Sequence, residues 1–264
     1  MLRTERQAKI LELIRQKGFI HNEALAQSLK VSTVTIRRDL KELDKQKLIK
    51  LEHGGATSID YLEGIPEPQY ETKMFVNALQ KQAIAKEALK DIKEGDSILI
   101  DSGTTCLNLA KLLKREKFNK LTVITNDIMV ARELGPNSNI TIIILGGILR
   151  KSYYNAYGPF TELILANLKA NKYFFAFDGF TANRGFSNTV LEEIPIKQKM
   201  IEISDQVIAL CDSSKFGLGA PYIICGLEKI QKIITDDGID KNQKEVFLNR
   251  GVEIVIAEME PAPK

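Results

Sequence analysis

The sequence predicts an α/β chain in two parts, an N-terminal winged helix-turn-helix followed by a mostly parallel α/β domain. In residues 1–50 apolar side chains recur at helical spacing, and the texture then changes to an alternation that breaks at Gly54-Gly55. From Ser97 onward, short β-rich runs alternate with helical ones, as in a parallel sheet covered by helices. Charge divides the chain at the same place. Residues 1–57 carry twelve basic side chains against seven acidic ones, and residues 58–264 carry 25 against 27. A basic head on a neutral-to-acidic body suits a nucleic-acid-binding module attached to something else.

In the head, Ile10, Leu11 and Ile14 give one helical stripe, closed by Gly18. Phe19–Asn22 reads as a short connection, with Asn22 placed to cap a second helix carrying Ala24, Leu25 and Leu29. After a tight turn at Lys30-Val31, Ser32 is placed to cap a third helix. There Ile36, Leu40 and Leu43 share one stripe while Val34, Arg38 and Lys41 lie opposite, flanked by Thr35 and Arg37. One face for a core and an N-terminal half rich in hydroxyls and guanidinium groups is the layout of a helix lying in a DNA major groove. Leu48–Thr57 reads as a β-hairpin wing with a glycine turn. The candidate DNA-contacting residues are Ser32, Thr33, Thr35, Arg37, Arg38 and Lys41, with Lys50 and His53 on the wing. Asp39 is expected to orient an arginine or the fold rather than touch DNA.

Residues 58–72, with Gly64, Pro66 and Pro68 and no periodicity, read as a linker, dividing the chain into 1–57, 58–72 and 73–264. One long helix is expected from about Lys73 to Asp91. Strands are expected at Ser97–Ile100, Leu121–Thr125, Ile140–Leu145, Lys172–Phe177, Gln206–Cys211, Lys232–Thr235 and Glu253–Ile256. Helices between them are expected at Thr105–Leu113, Ile128–Leu134, Thr161–Leu168, Glu192–Ile203 and Lys241–Leu248. With 264 residues, 44% hydrophobic and 27% charged, the chain is of ordinary globular composition. Cys106, Cys211 and Cys225 form no Cys-x-x-Cys pair and have no metal-ligand spacing with His21 or His53, so reduced thiols and no metal or cofactor are expected. The start of the chain runs straight into charged helix, and no apolar run approaches a membrane span, so a cytoplasmic protein without membrane contact is expected.

In open α/β sheets ligands bind beyond the carboxyl ends of the strands. Those positions hold Asp101-Ser102-Gly103-Thr104-Thr105 opening a helix, Thr125-Asn126-Asp127, Gly146-Gly147 with Arg150 close behind, Asp178-Gly179, and Asp212-Ser213-Ser214-Lys215. Backbone donors at a helix start suit a phosphate, Lys215 and Arg150 add charge, and Asp178 and Asn126 suit hydroxyls. The set points to a small, hydroxylated, phosphorylated ligand. The lysine and spacing of a Walker loop are missing, which argues against a nucleoside triphosphate.

These motifs resemble those of the DeoR-type transcriptional regulators over nearly the whole chain. The head matches at Arg6, Ile10, Ile14, Ser32, Thr35-Ile36-Arg37-Arg38-Asp39-Leu40 and His53-Gly54-Gly55-Ala56. The body matches at Asp101-Ser102-Gly103-Thr104-Thr105, Thr125-Asn126, Leu145-Gly146-Gly147, Gly158-Pro159, Glu192-Glu193 and Asp212-Ser213-Ser214-Lys215-Phe216. The resemblance implies a sensor domain like ribose-5-phosphate isomerase and CoA-transferase-like folds, in a bacterial repressor of a sugar catabolic operon released by a phosphorylated sugar. Glu193 joins the candidate effector residues Asp101, Ser102, Gly103, Thr104, Thr105, Asn126, Gly146, Gly147, Arg150, Asp178 and Lys215. Asn171 and Ala176 stand where the family usually or often has Asp and Gly, and Phe174, Phe175 and Phe177 make an aromatic strand before Asp178.

The expected partners are double-stranded operator DNA, a phosphorylated sugar and further copies of the chain, at least a dimer. The alternative is a phosphosugar isomerase-like enzyme with an accessory head, using Asp178, Glu193 and Lys215 for acid–base chemistry. Against it, the resembling isomerases carry a glycine-rich lysine loop after the fourth strand, whereas Thr181-Ala182-Asn183-Arg184-Gly185 has no lysine and one glycine. Binding without catalysis is therefore expected.

Overall fold

The structure, a computed structural model, describes the chain apart from residues 18, 47, 53, 59–69, 136–138, 152 and 260–264. It divides into two compact units, Met1–Ala78 and Leu79–Lys264. Most of the expected linker lies outside the described residues.

In the first unit, α1 (Arg3–Lys17), α2 (Asn22–Leu29) and α3 (Thr33–Lys45) surround a core of Ile10, Leu11, Ile14, Leu25, Leu29, Ile36, Leu40 and Leu43. The apolar stripes read from the sequence are the buried ones. Helix α2 ends at Lys30, which adopts a left-handed conformation (φ 53°) and donates its amide to the last turn, so α3 can start at once. Ser32 caps α3, its Oγ accepting the Thr35 amide at 3.2 Å. The cap of α2 differs from expectation: His21 holds that position without a side-chain bond, and Asn22 is the first helical residue. The wing is β2 (Ile49–Glu52) against β3 (Gly55–Ser58). A further strand, β1 (Phe19–His21), pairs with β3 where a plain connection was expected.

The expected helix over 73–91 is two helices, α4 (Tyr70–Phe75) and α5 (Ala78–Leu89). Asn77 separates them at φ 50°, in the left-handed region that asparagine tolerates better than most residues.

The second unit is built on a seven-stranded parallel sheet. Its strands are β4 (Ser97–Ile100), β5 (Leu121–Thr125), β6 (Ile140–Ile144), β9 (Ala170–Phe175), β12 (Ser204–Leu210), β14 (Lys232–Thr235) and β15 (Glu253–Ile256), in the order β15-β14-β12-β9-β4-β5-β6. The helices of this unit after α5 are α6 (Thr104–Leu113), α7 (Ile128–Leu134), α8 (Pro159–Leu165), α9 (Ile194–Glu202) and α10 (Lys241–Leu248). Near-continuous apolar runs such as Ile98-Leu99-Ile100, all buried, are what a sheet covered on both faces requires. From β4 the chain winds one way through β5 and β6, then returns to β9 on the other side of β4 and winds outward again. The topological switch point therefore lies between β4 and β9, where open sheets bind ligands.

Two additions were not expected. A hairpin of β7 (Ile148–Arg150) and β8 (Asn155–Tyr157) follows β6, and β10 (Gly179–Thr181), β11 (Gly185–Asn188) and β13 (Tyr222–Cys225) form a small antiparallel sheet. The aromatic run of β9 packs into this side of the core. Tyr173 and Phe175 share one face, and Phe175 and Phe177 lie 5.7 and 4.8 Å, ring to ring, from Phe186 of β11. The bulk read from the sequence thus goes into the core, while the Tyr173 hydroxyl reaches Asp101 at the switch point and the Phe175 ring lies 5.9 Å from Lys197 Nζ.

Candidate functional sites: a basic helix face and a buried charge network

On α3 the exposed positions are Val34, Arg37, Arg38, Lys41 and Lys45, a continuous stripe at 100° per residue. Ser32 is exposed and Thr33 and Thr35 are half-exposed beside it, with Ser32 Oγ 2.9 Å from Thr35 Oγ1. Six of the expected DNA-contacting residues therefore share the start and open face of one helix. Lys50 is exposed on β2 and pairs with Glu52 at 3.3 Å, and His53 lies outside the described residues. Asp39 faces inward: it is buried, and Arg6 of α1 grips it from two nitrogens, Nε to Oδ2 at 2.5 Å and a terminal nitrogen to Oδ1 at 3.2 Å. That bidentate pair fixes the angle between α1 and α3 and leaves Arg37 and Arg38 pointing to solvent.

At the switch point the loop after β4 places Asp101 over the sheet, 1% exposed. Asp101 Oδ2 accepts from the Tyr173 hydroxyl at 2.6 Å, the Ala176 amide at 3.0 Å and Lys197 Nζ at 2.7 Å, and Oδ1 accepts the Ser102 amide at 2.8 Å. Four bonds fill the acceptor sites of a carboxylate, so Asp101 anchors the site rather than offering an open acceptor to a ligand. Lys197, on α9, also donates to the Ala176 carbonyl at 3.0 Å and so bridges the ends of β4 and β9. Burial alone would lower its pKa, but Asp101 and Glu193 outweigh that and raise it, keeping it an ammonium. Burial and the Asp101 charge push the Tyr173 phenol well above its usual value.

Glu193, buried in a 3₁₀ turn (Leu191–Glu193) just before α9, collects three further groups. Its Oε1 accepts from Arg150 at 2.7 Å and Asn155 Nδ2 at 2.8 Å, and its Oε2 from Asn188 Nδ2 at 2.8 Å. Burial raises the Glu193 pKa, but Lys197, Arg150 and the Asn155 bond reverse this and lower it overall. The β7–β8 hairpin thus delivers Arg150 and Asn155 together. Arg150 also lies over the Tyr153 ring at 3.9 Å, so the cation expected to meet a phosphate is already engaged within the protein. Asn155 closes the network, since its Nδ2 also reaches Ser102 Oγ at 3.1 Å.

Gly103 precedes α6 at φ 142°, a conformation that favours glycine, and its amide points at Asp127 Oδ2 at 3.4 Å. Thr104 and Thr105 are buried in the first turn behind it. Asp127 is fully buried and caps α7 through the Met129 and Val130 amides. Burial raises its pKa to about 7, the capping bonds opposing only in part. Asn126 donates from Nδ2 to the Ala156 carbonyl at 2.9 Å. The Oδ1 atoms of Asn126 and Asn155 are buried acceptors with no partner among the described residues.

Hydrogen bonds therefore join Asp101, Ser102, Arg150 and Glu193 of the expected effector set, with Gly103 linked through Asp127. Asp178 is nearby, its charge felt at both Glu193 and Lys197, and it accepts from the Thr189 amide and hydroxyl at 2.9 and 2.6 Å. Gly146 and Gly147 shape the loop before the hairpin. A Cβ on Gly147 would sit 2.3 Å from Thr161 Oγ1 and 2.5 Å from the Tyr157 carbonyl, so only glycine fits there. No hydrogen bond among the described residues joins Lys215 to this set; it lies in a 3₁₀ turn after β12, beside the Ser213–Asp236 and Ser214–Asp212 bonds. Lys197, Tyr173, Asn155 and Asn188 were not anticipated, and Asp127 was read only as part of the Thr125-Asn126-Asp127 loop. The one available signal was the Glu193–Lys197 spacing of four residues, which reads equally as a surface helix pair.

The geometry has counterparts in known proteins. The family model of the DeoR-like helix-turn-helix domain matches residues 6–61, and that of the DeoR C terminal sensor domain matches residues 76–237. The chain belongs to the DeoR family. It is 37% identical over 254 residues to the HTH-type transcriptional regulator YulB of Bacillus subtilis, covering 96% of each chain. It is 32% identical over 253 residues to a putative aga operon transcriptional repressor of Escherichia coli O157:H7, covering 96% of this chain and 93% of the other. As a DeoR-family protein it is a DNA-binding transcriptional regulator. Among solved structures, ribose 5-phosphate isomerase A of Methanocaldococcus jannaschii matches 53% of this chain and 55% of its own at TM-score 0.39 and 16% identity. A likeness at that level bears no weight for chemistry. No helix among the described residues is long and apolar enough to cross a membrane.

Proposed function

We propose that this DeoR-family regulator represses a sugar or carbohydrate catabolic operon and is released by a phosphorylated sugar. Residues Ser32, Thr33, Thr35, Arg37, Arg38 and Lys41 meet operator DNA in the major groove, with Lys50 on the flanking backbone. The effector enters at the β4–β9 switch point. Its phosphate takes the amides at the start of α6, around Gly103, Thr104 and Thr105. Its hydroxyls donate to the amide oxygens of Asn126 and Asn155, and Gly146 and Gly147 set the loop that borders them. Lys215 and Asp178 give the outer rim its charge. The chain acts in the cytoplasm as at least a dimer, and ligand binding shifts the packing between copies and so the spacing of paired heads.

The observation that carries this reading is the network at the switch point that joins buried Asp101, Lys197, Glu193 and Asn155 to half-buried Arg150. Charged side chains are rarely buried in such number without a function. The same observation favours binding over turnover. Lys197 is held protonated and Glu193 ionised, so neither is poised to exchange a proton near neutral pH. A thermal-shift screen of the full chain against phosphorylated sugars and their unphosphorylated counterparts tests it. Stabilisation by a phosphorylated sugar but not its parent sugar supports the reading. No shift at millimolar concentration with any phosphosugar overturns it.

A further inference from the structure

The open face of α3 carries one residue that neither its solubility nor its packing explains. Four of its five exposed positions are the cations Arg37, Arg38, Lys41 and Lys45, and the fifth is Val34, 72% exposed. At 100° per residue Val34 lies between Arg37 and Arg38 around the helix and directly over Lys41, so it occupies the centre of the basic stripe. A β-branched apolar residue is a weak helix former, and at this exposure it gains little from the core. Isolated apolar side chains on protein surfaces are ordinary, but this one is surrounded by the groups that bring a polyanion against it. It also sits in the first turn of the helix, the part of a recognition helix that meets base edges.

The major-groove edge of a base pair offers one apolar feature, the C5 methyl of thymine. We infer that Val34 reads a thymine methyl, packing its two methyl groups against it while the flanking arginines hold the phosphates or guanine edges. Val34 is then a specificity-determining residue, one that selects a T·A pair without any hydrogen bond. This rests on the assignment of α3 to the groove.

The test uses the full-length chain. Selection from a library of randomised duplexes yields the preferred motif, and each thymine in it is then replaced singly by deoxyuridine, which removes the methyl and leaves every hydrogen-bonding group. The expected result is one thymine position per half-site at which the replacement weakens binding by about four-fold, the worth of one buried methyl. Val34→Ser is expected to melt at the same temperature as the parent chain and to bind the thymine and deoxyuridine duplexes equally. Indifference of the parent chain to every deoxyuridine replacement overturns the inference, and this arm decides even if the variant does not fold. Discrimination retained by a folded Val34→Ser chain also overturns it. Failure of the parent chain to enrich any motif removes the groove assignment beneath it.

Discussion

The two units use charge in opposite ways. On α3 the cations stand in solvent on a helix whose only duty to the fold is its other face. At the switch point a comparable set of charges is buried, and each is held by a named partner. An exposed cation costs little to keep and gains its energy when it meets phosphate and releases counterions. A buried charge has lost its hydration before any ligand arrives, and it persists only because Asp101 meets Lys197 and Glu193 meets Arg150. The head is therefore a surface to be placed against DNA, whereas the sensor site is a fixed frame that a ligand must fit without unpairing it.

The largest expected effect follows from breaking that frame. Lys197→Met leaves Asp101 charged and buried with only neutral donors, and is expected to cost about 3–5 kcal/mol of folding stability. Arg37→Ala, the same deletion of one cation on the head, is expected to stay within about 0.5 kcal/mol. Denaturant unfolding followed by circular dichroism measures both. The double variant Asp101→Asn/Lys197→Met is expected to lose much less than the two single losses together. Equal stability of Lys197→Met and the parent chain would refute the buried pairing.

Next comes a group whose burial is not fully compensated. Burial pushes the Asp127 pKa up to about 7 in the folded chain, well above the usual carboxylate range. Its contribution to stability is complete below about pH 4 and is lost as pH rises to about 7, because over that interval the unfolded chain releases the proton first. Asn at this position can still cap α7. Relative to Asp127→Asn, the parent chain is expected to lose about 2–3 kcal/mol between pH 5 and 7 and then level off. Parallel stability curves for the two chains would show that Asp127 is ionised throughout.

The same contrast explains what was legible in the sequence. The runs Ser97–Ile100, Leu121–Thr125, Ile128–Leu134, Lys232–Thr235, Lys241–Leu248 and Glu253–Ile256 are the observed elements residue for residue. Their signals are local: an apolar run, a helical stripe, or a capping aspartate such as Asp127 or Asp240. The basic stripe of α3 was legible for the same reason, since one helix carries all of it. The frame of the sensor site was half legible. Asp101 and Glu193 stand in recognisable motifs, but Lys197 meets an aspartate 96 residues away, and a lysine on a helix is ordinarily a surface residue. Strands β1 and β13 were missed on similar grounds, being short segments whose partners lie far along the chain. Asn77 broke a helix whose apolar pattern runs on through it.

On the head the expected effects pass from stability to affinity. Arg38→Ala is expected to cost about 1–3 kcal/mol of operator binding if its guanidinium forks to a base edge. If it meets phosphate instead, binding weakens on all sequences alike and the salt dependence becomes shallower. Fluorescence anisotropy on the selected duplex and on a scrambled one, at several salt concentrations, separates these roles. Unchanged affinity in Arg37→Ala/Arg38→Ala would remove α3 from the DNA interface.

The smallest expected effect lies where the two uses of a side chain meet. Ser32 caps α3 and stands among the residues assigned to DNA, so Ser32→Ala confounds two losses, about 1 kcal/mol of cap stability and one DNA contact. Ser32→Asp separates them. An aspartate caps as well as serine, and its charge suits the positive end of the helix dipole, so the melting temperature is expected to hold or rise slightly. The same charge facing a phosphate is repelled, so operator affinity is expected to fall below that of Ser32→Ala. If Ser32→Asp binds operator as well as the parent chain, the start of α3 points away from the DNA backbone. The reading face would then be the later turns that carry Arg38 and Lys41.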